Sequence, residues 1–329
     1  MTGPATEGPT PALPVQPSGE AGVVAFARRA GRGYSLLTRR DKLVLTLMVA
    51  IPLFFDLTLI WGPAIASIFL SFTNWHGIGA LTSNNFVGLD NYGQLFTGTY
   101  PFFYPALEHN FIWLAFLMFI ATPLGILMAV VLDREVRGTR FYQTVFYLPV
   151  VLSLAVIGII WQFQYSADSG FIDSLLRAVG VQNPPDWYGD SSLNLWAALV
   201  AASWRHVGYI MVLYLAGLKS FDPSLREAAK VDGASERQTF LRVVFPVMRP
   251  INIVIVVITT IEALRAFDIA YIINGGRNGL ELLSTLITNN SISESSRVGF
   301  GSAIAVVLLV VSLGPIVIFL QRMLREEPR

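Results

Sequence analysis

Six segments of this chain are each long and apolar enough to cross a bilayer as a helix, and no other feature restricts the fold as strongly. They run over residues 43–71, 111–132, 141–163, 195–218, 251–273 and 301–321. A helix rises about 1.5 Å per residue, so a hydrocarbon core about 30 Å thick needs roughly twenty such residues. Inside lipid every backbone N–H and C=O must find a partner within the protein, which leaves helices and closed barrels as spanning structures. The period-two alternation of a barrel strand is absent from the sequence. The expected fold is therefore an all-α integral membrane protein with six transmembrane helices. Only 14% of residues are charged against 53% hydrophobic, too little charge for a surface that faces water.

Lysine and arginine set the orientation, because short basic loops are retained on the cytoplasmic side. Arg28, Arg29, Arg32, Arg39, Arg40 and Lys42 precede the first span, and Arg134, Arg137 and Arg140 follow the second. Lys219, Arg226, Lys230, Arg237, Arg242 and Arg249 lie between the fourth and fifth, and Arg322, Arg325 and Arg329 end the chain. The alternate loops are poor in positive charge: residues 73–107 have none, 164–194 have only Arg177, and 274–300 have Arg277 and Arg297. One topology satisfies all of these segments, with both termini in the cytoplasm. It divides the chain into a cytoplasmic N-terminal segment, 1–42, a permeation domain, 43–322, and a short cytoplasmic tail, 323–329. The first 22 residues are rich in Pro, Gly, Ser and Thr and read as a disordered tail. Residues 23–34 read either as an amphipathic stretch on an anionic membrane surface or as a solvated basic segment.

Several chemistries are excluded. There are no cysteines, and the three histidines, His76, His109 and His206, are scattered, so neither thiolate nor histidine metal sites are expected. A net charge of +1 leaves no broad basic footprint for nucleic acid. No Gly-Lys pair exists, so the phosphate-cradling loop of an ATPase is missing. No serine-hydrolase elbow or zinc-protease helix appears, and no catalytic residue is expected.

The loop from Lys219 to Arg249 is long and charged, yet patterned for helix. Asp222 is placed to cap a helix that starts at Pro223, and Leu225 to Lys230 are helix formers. Asp232-Gly233 supplies a tight break, and Ser235-Glu236-Arg237-Gln238 has capping-box spacing. Pro246 and Pro250 mark the return to the membrane. This stretch resembles the signature loop of ABC importer permeases: Glu227-Ala228-Ala229, three residues, Gly233, nine residues, then Val243, Val244, Phe245 and Pro246. Phe245 stands where leucine is more usual. A Glu-Ala-Ala triplet alone is common in helices, and an ordinary amphipathic connector would also carry one; the full spacing before the penultimate span is what carries the resemblance.

Further pieces resemble the sugar-uptake branch of these permeases: Asn91-Tyr92 after Val87-Gly88, Leu148-Pro149, Trp204 with Gly208, Leu215 to Leu218, and Phe267-Asp268 with Gly275-Gly276. Arg277 departs from the proline usual after the two glycines. The resemblance implies a MetI-like permease bundle in the plasma membrane of a prokaryote, with lipid around its spans. It implies that Glu227, Ala228, Ala229, Asp232, Gly233 and Pro246 belong to a coupling helix received by an ATPase. It also implies a second permease subunit, two ATPase subunits that bind ATP and Mg, an extracytoplasmic sugar-binding protein, and no cofactor in this chain.

Ionisable residues within spans cost about 2.5 to 3.5 kcal/mol each to insert, so Asp56, Arg205, Glu262, Arg265 and Asp268 need reasons. Glu262 and Arg265, three residues apart on one helix face, are expected to neutralise each other, and Arg205, His206 and Asp268 to reach for an interface. A sugar presents hydroxyls to polar groups and C–H faces to rings. Trp161, Gln162, Trp204, Tyr209, Asn252 and Glu262 are the candidates for such a pathway; an aromatic belt and helix packing are the competing readings. The rival functions are an ABC permease for glycerol phosphate or a polyamine, and a secondary transporter with no ATPase.

Overall fold

The computed structural model describes residues 38–134, 137–167, 169–292 and 296–325. The expected N-terminal tail up to residue 37, with the basic stretch at 23–34, and residues 326–329 lie outside the described residues. Among the described residues every regular element is helical, and Thr73 and Phe86 form an isolated bridge.

The chain divides into two compact units, Met1–Ala64 and Ile65–Arg329. The first supplies most of helix α1 (Arg39–Leu70). Thr38 starts it with a capping box: its hydroxyl accepts the Asp41 N–H at 3.2 Å, and the Asp41 carboxylate accepts the Thr38 N–H at 2.9 Å. No residue of α1 is buried.

The second unit runs α2 (Asp90–Phe96), α3 (Phe103–Asp133), α4 (Thr139–Val151), α5 (Leu154–Gln164), α6 (Phe171–Ala178) and α7 (Asn194–Ser220), then α8 (Pro223–Val231), α9 (Glu236–Val247), α10 (Arg249–Leu264), α11 (Asp268–Asn274), α12 (Leu283–Ser291) and α13 (Val298–Arg325). Helix α7 is its axis, buried over most of its length. Small residues let neighbours reach it. A β-carbon on Gly125 of α3 would lie 2.8 Å from the Val207 carbonyl oxygen, and one on Gly208 would lie 2.1 Å from that of Phe146 on α4. One apolar core joins Trp113, Leu117 and Ala121 of α3 to Ile157 of α5, to α7, and to Ile269 and Ile273 of α11. A second joins Ala129 and Leu132 to Tyr214, Leu218, Val244 and Met248.

Among the described residues four helices, α1, α3, α7 and α13, are long and apolar enough to cross a membrane. The segments expected at 141–163 and 251–273 are not straight helices. Helices α4 and α5 meet at 103°. Helix α4 runs past Pro149 to Val151, and Ser153 opens α5 by accepting the Val156 N–H at 3.3 Å. Helix α9 meets the segment beginning at Arg249 at 76°, and α10 is itself interrupted at 265–267 before α11. The Ser284 hydroxyl donates to the Ala266 carbonyl oxygen there, so the interruption leaves that acceptor paired.

Among the described residues three helices contain a wide π turn that ends two residues before a proline: Leu57–Trp61 before Pro63, Leu117–Ala121 before Pro123, and Phe240–Val244 before Pro246. A proline ring crowds the carbonyl four residues earlier, which falls inside each wide turn. At each turn an N–H reaches back five residues, as from Thr122 to Leu117.

Candidate functional site

The loop between α7 and α10 adopts the caps its sequence specifies. The Asp222 carboxylate accepts the Ser224 N–H at 2.9 Å, with Pro223 as the first helical residue. That backbone bond, joined by the Ser224 side chain, holds the Asp222 carboxyl below the usual carboxylate range. The contribution to the cap is present above that ordinary range and is lost as pH falls through the lowered value. Asp232 ends α8, and Gly233 turns the chain at φ +77°. Ser235 and Gln238 form the capping box of α9.

Helix α8 buries only Ala229. Glu227, Ala228, Asp232 and Gly233 are exposed, as is Val231 at 87%. Pro246 lies just after the wide turn of α9 and is exposed as well. The loop therefore offers an acid, a small residue and an apolar side chain to whatever lies beneath it. Behind it, Asp133 at the end of α3 accepts from Arg226 at 2.7 Å and lies 3.7 Å from the Lys219 amine. Arg134 pairs with Glu236 at 2.6 Å.

A second polar cluster sits within the bundle. Glu262 of α10 receives Arg205 Nη1 at 3.2 Å and His206 Nδ1 at 2.9 Å, both from α7. His206 is buried, and its Nε2 lies 3.0 Å from the Thr122 hydroxyl and 3.4 Å from that of Thr259. This corrects two expectations: Glu262 is neutralised by α7 and not by Arg265, and His206 is held inside the core and not at an interface. A signal was present in the sequence. Arg205 and Glu262 stand at similar distances from the outer ends of antiparallel spans, where charges of opposite sign meet. A cavity of about 230 Å3 opens beside them at the interruption of α10. Arg205, Glu262, Arg265, Asp268, Trp113 and Phe267 line it. The Arg205 Nε has no hydrogen-bond partner.

Trp161 of α5 and Trp204 of α7, the residue before Arg205, belong to an aromatic group. Trp161 lies 6.0 Å from Trp204 and 5.2 Å from Tyr165, centroid to centroid, and Tyr165 lies 5.3 Å from Trp187 and 5.2 Å from Tyr188. Gln162 donates to the Ile273 carbonyl oxygen at 3.3 Å. The Trp161 indole N–H and the Tyr188 hydroxyl are buried without partners. Burial, and then the neighbouring Tyr165, push the Tyr188 phenol far up, so it stays neutral. Trp187 and Tyr188 had no distinguishing pattern in the sequence; Asp173, buried and accepting from the Trp187 indole at 2.9 Å, fixes their loop.

The other two candidates fall elsewhere. Tyr209 packs against the inner core, and Asn252 donates to the Phe245 carbonyl oxygen at 2.8 Å, bracing the α9–α10 corner. Asn91 and Tyr92 also serve the fold: Asn91 donates to the carbonyls of Ser71 and Thr73 at 2.8 Å each, and the Tyr92 hydroxyl lies 2.7 Å from that of Ser71.

Comparison with known proteins agrees with this arrangement. Residues 121–328 match the family described as the binding-protein-dependent transport system inner membrane component. The probable ABC transporter permease protein YurN of Bacillus subtilis is 32% identical over 84% of this chain and 94% of its own. The xylose/arabinose import permease protein XacH of Haloferax volcanii is 33% identical over 75% of this chain and 77% of its own. A crystal structure of a bacterial alginate ABC transporter, in complex with an alginate pentasaccharide-bound periplasmic protein, superposes with a TM-score of 0.74. It covers 88% of this chain and 96% of that one at 21% identity, a likeness of fold. With a helical bundle of apolar spans and a match over most of its length, the chain belongs to the binding-protein-dependent inner-membrane family and is a permease subunit of an ABC importer, in which ATP hydrolysis belongs to a separate subunit.

Proposed function

We propose that this permease admits a sugar or small oligosaccharide by alternating access. The observation that carries this reading is the partnerless Trp161 indole N–H within an aromatic group that includes Trp204, the residue before Arg205, which lines the cavity with Glu262. Rings stack on the C–H faces of a sugar, and spare donors and acceptors take its hydroxyls. Trp161, Gln162, Trp204 and Glu262 form this surface; Tyr209 and Asn252 belong to the packing around it. The name of XacH and the pentasaccharide of the alginate complex favour the same class of cargo.

The working topology has six spans, counting each bent pair as one, with both termini in the cytoplasm of a prokaryote. The permeation domain runs over 43–322, between a cytoplasmic segment, 1–42, and a short tail, 323–329. The assembly joins this chain to a second permease, two ATPase subunits that bind ATP and Mg, and an extracytoplasmic sugar-binding protein. Lipid or the second permease covers the exposed apolar length of α1. Glu227, Ala228, Asp232 and Gly233 meet the ATPase, Ala229 seats the helix against the bundle, and Pro246 shapes the return. ATP binding draws the ATPases together, the loop follows, and the bundle shifts between inward- and outward-facing populations.

The test is copurification of tagged wild type, Glu227→Arg and Gly233→Pro in mild detergent, followed by uptake of xylose, arabinose and maltose into vesicles holding the complex. Retention of an ATPase by wild type and its loss from both variants supports the loop assignment. Saturable uptake of one of these sugars, reduced about tenfold or more by Trp161→Ala, supports the cargo. Uptake of glycerol phosphate or a polyamine instead overturns it.

A further inference from the structure

The coupling loop is tied to the bundle by a charge contact that the reading above does not use. Helix α8 buries only Ala229, so apolar packing holds it weakly. Its polar anchor is Arg226, which meets Asp133 at 2.7 Å, and Asp133 also faces Lys219 at the end of α7. The Asp133 side chain is 9% exposed against 34% for Arg226 and 55% for Lys219, so one nearly buried acid stands between two cations from different helices. Such a pair resists separation better than a surface ion pair.

From Asp133, α3 runs back eleven residues to Thr122, roughly 16 Å along its axis. Thr122 is the residue that touches His206 in the intramembrane cluster. Between them Gly125 brings α3 against Val207 and Ile210, so α3 and α7 are in close contact. A displacement of α8 therefore has a continuous packed route to the cluster around Glu262.

We propose that Asp133 is the positioning residue through which the coupling loop moves α3 and α7 as one body. The proposal rests on the loop being the ATPase contact. Without the Asp133 charge, Arg226 and Lys219 repel each other, and α8, continuous with α7 through Phe221 and Asp222, moves α7 without carrying α3 with it.

The cysteine-free chain allows the motion to be read directly. Nitroxides at Leu127→Cys on α3 and Val310→Cys on α13, both exposed, are compared by pulsed electron resonance with and without ATP, Mg and vanadate, in the complete complex in nanodiscs. Wild type is expected to change the label distance by at least about 2 Å. Asp133→Asn is expected to abolish the change while ATP hydrolysis stays within about twofold. Asp133→Glu is expected to retain the change, and Asp133→Arg/Arg226→Asp to restore it relative to Asp133→Arg alone. Retained hydrolysis registers a folded complex. An undiminished distance change in Asp133→Asn, or no change in wild type, overturns the proposal. Absence of an ATPase from the wild-type complex overturns the loop assignment beneath it, and presence of the ATPase with normal motion in Asp133→Asn overturns only the role of Asp133.

Discussion

Glu262 is held by two groups from another helix, and that arrangement decides how its removal is felt. Its side chain is 31% exposed and that of Arg205 22%, so the pair is partly desolvated and its members are costly to leave alone. Glu262→Leu is expected to destabilise the detergent-solubilised chain by about 2 kcal/mol, after allowance for that exposure. Arg205→Met/Glu262→Leu is expected to unfold later than Glu262→Leu, because no charge is stranded. Thermal unfolding followed by tryptophan fluorescence makes the comparison; a double variant that falls by the sum of the two single losses refutes the pairing. The sequence pointed to Arg265 because helical neighbours are the partners visible along a chain. Arg205 and His206 stand more than fifty residues away, and only the antiparallel course of α7 and α10 joins them. Local chemistry was legible where its partner lies three residues on, as with Ser235 and Gln238.

At the scale of helices, hydropathy located the apolar segments and overlooked their corners. The segment expected at 195–218 is α7, Asn194–Ser220, nearly to the residue. The one expected at 141–163 is two helices, because an apolar index is blind to a break at Leu152 and to the serine that caps the next helix. The interruption at 265–267 was hidden for another reason: the Ser284 hydroxyl that takes up the Ala266 carbonyl comes from a different element. Close approach was likewise unreadable, since Gly208 and Gly93 look alike in sequence. Gly208→Ala is expected to cost about 1 to 3 kcal/mol or more by forcing α7 from α4. Gly93→Ala, at an exposed position with nothing within 4 Å of the added carbon, is expected to be neutral or to gain about 0.5 to 1 kcal/mol. Equal losses at the two positions, measured by thermal midpoints in one detergent, contradict the packing described.

Across the whole molecule, the three wide turns in α1, α3 and α9 recur ahead of Pro63, Pro123 and Pro246, near the start, middle and later part of the chain. The prolines were plain in the sequence; the widening was not, because a proline inside a helix can equally end or kink it. A turn of this kind behaves as a dislocation does in a crystal. One surplus unit is stored at a point, and the lattice on either side keeps its alignment. Losing a residue from an ordinary helical stretch rotates every later side chain by about 100°. Losing one from a stored surplus removes only the surplus. Deletion of Phe119, 76% exposed within the wide turn of α3, is therefore expected to leave folded, ATPase-bound complex recoverable by size-exclusion chromatography, whereas deletion of Leu127 a few residues on is expected to leave none. Insertions and deletions accumulated between distant members of such a family would then collect at these stored residues, so that gaps of one residue in their alignments mark where the rods are dislocated.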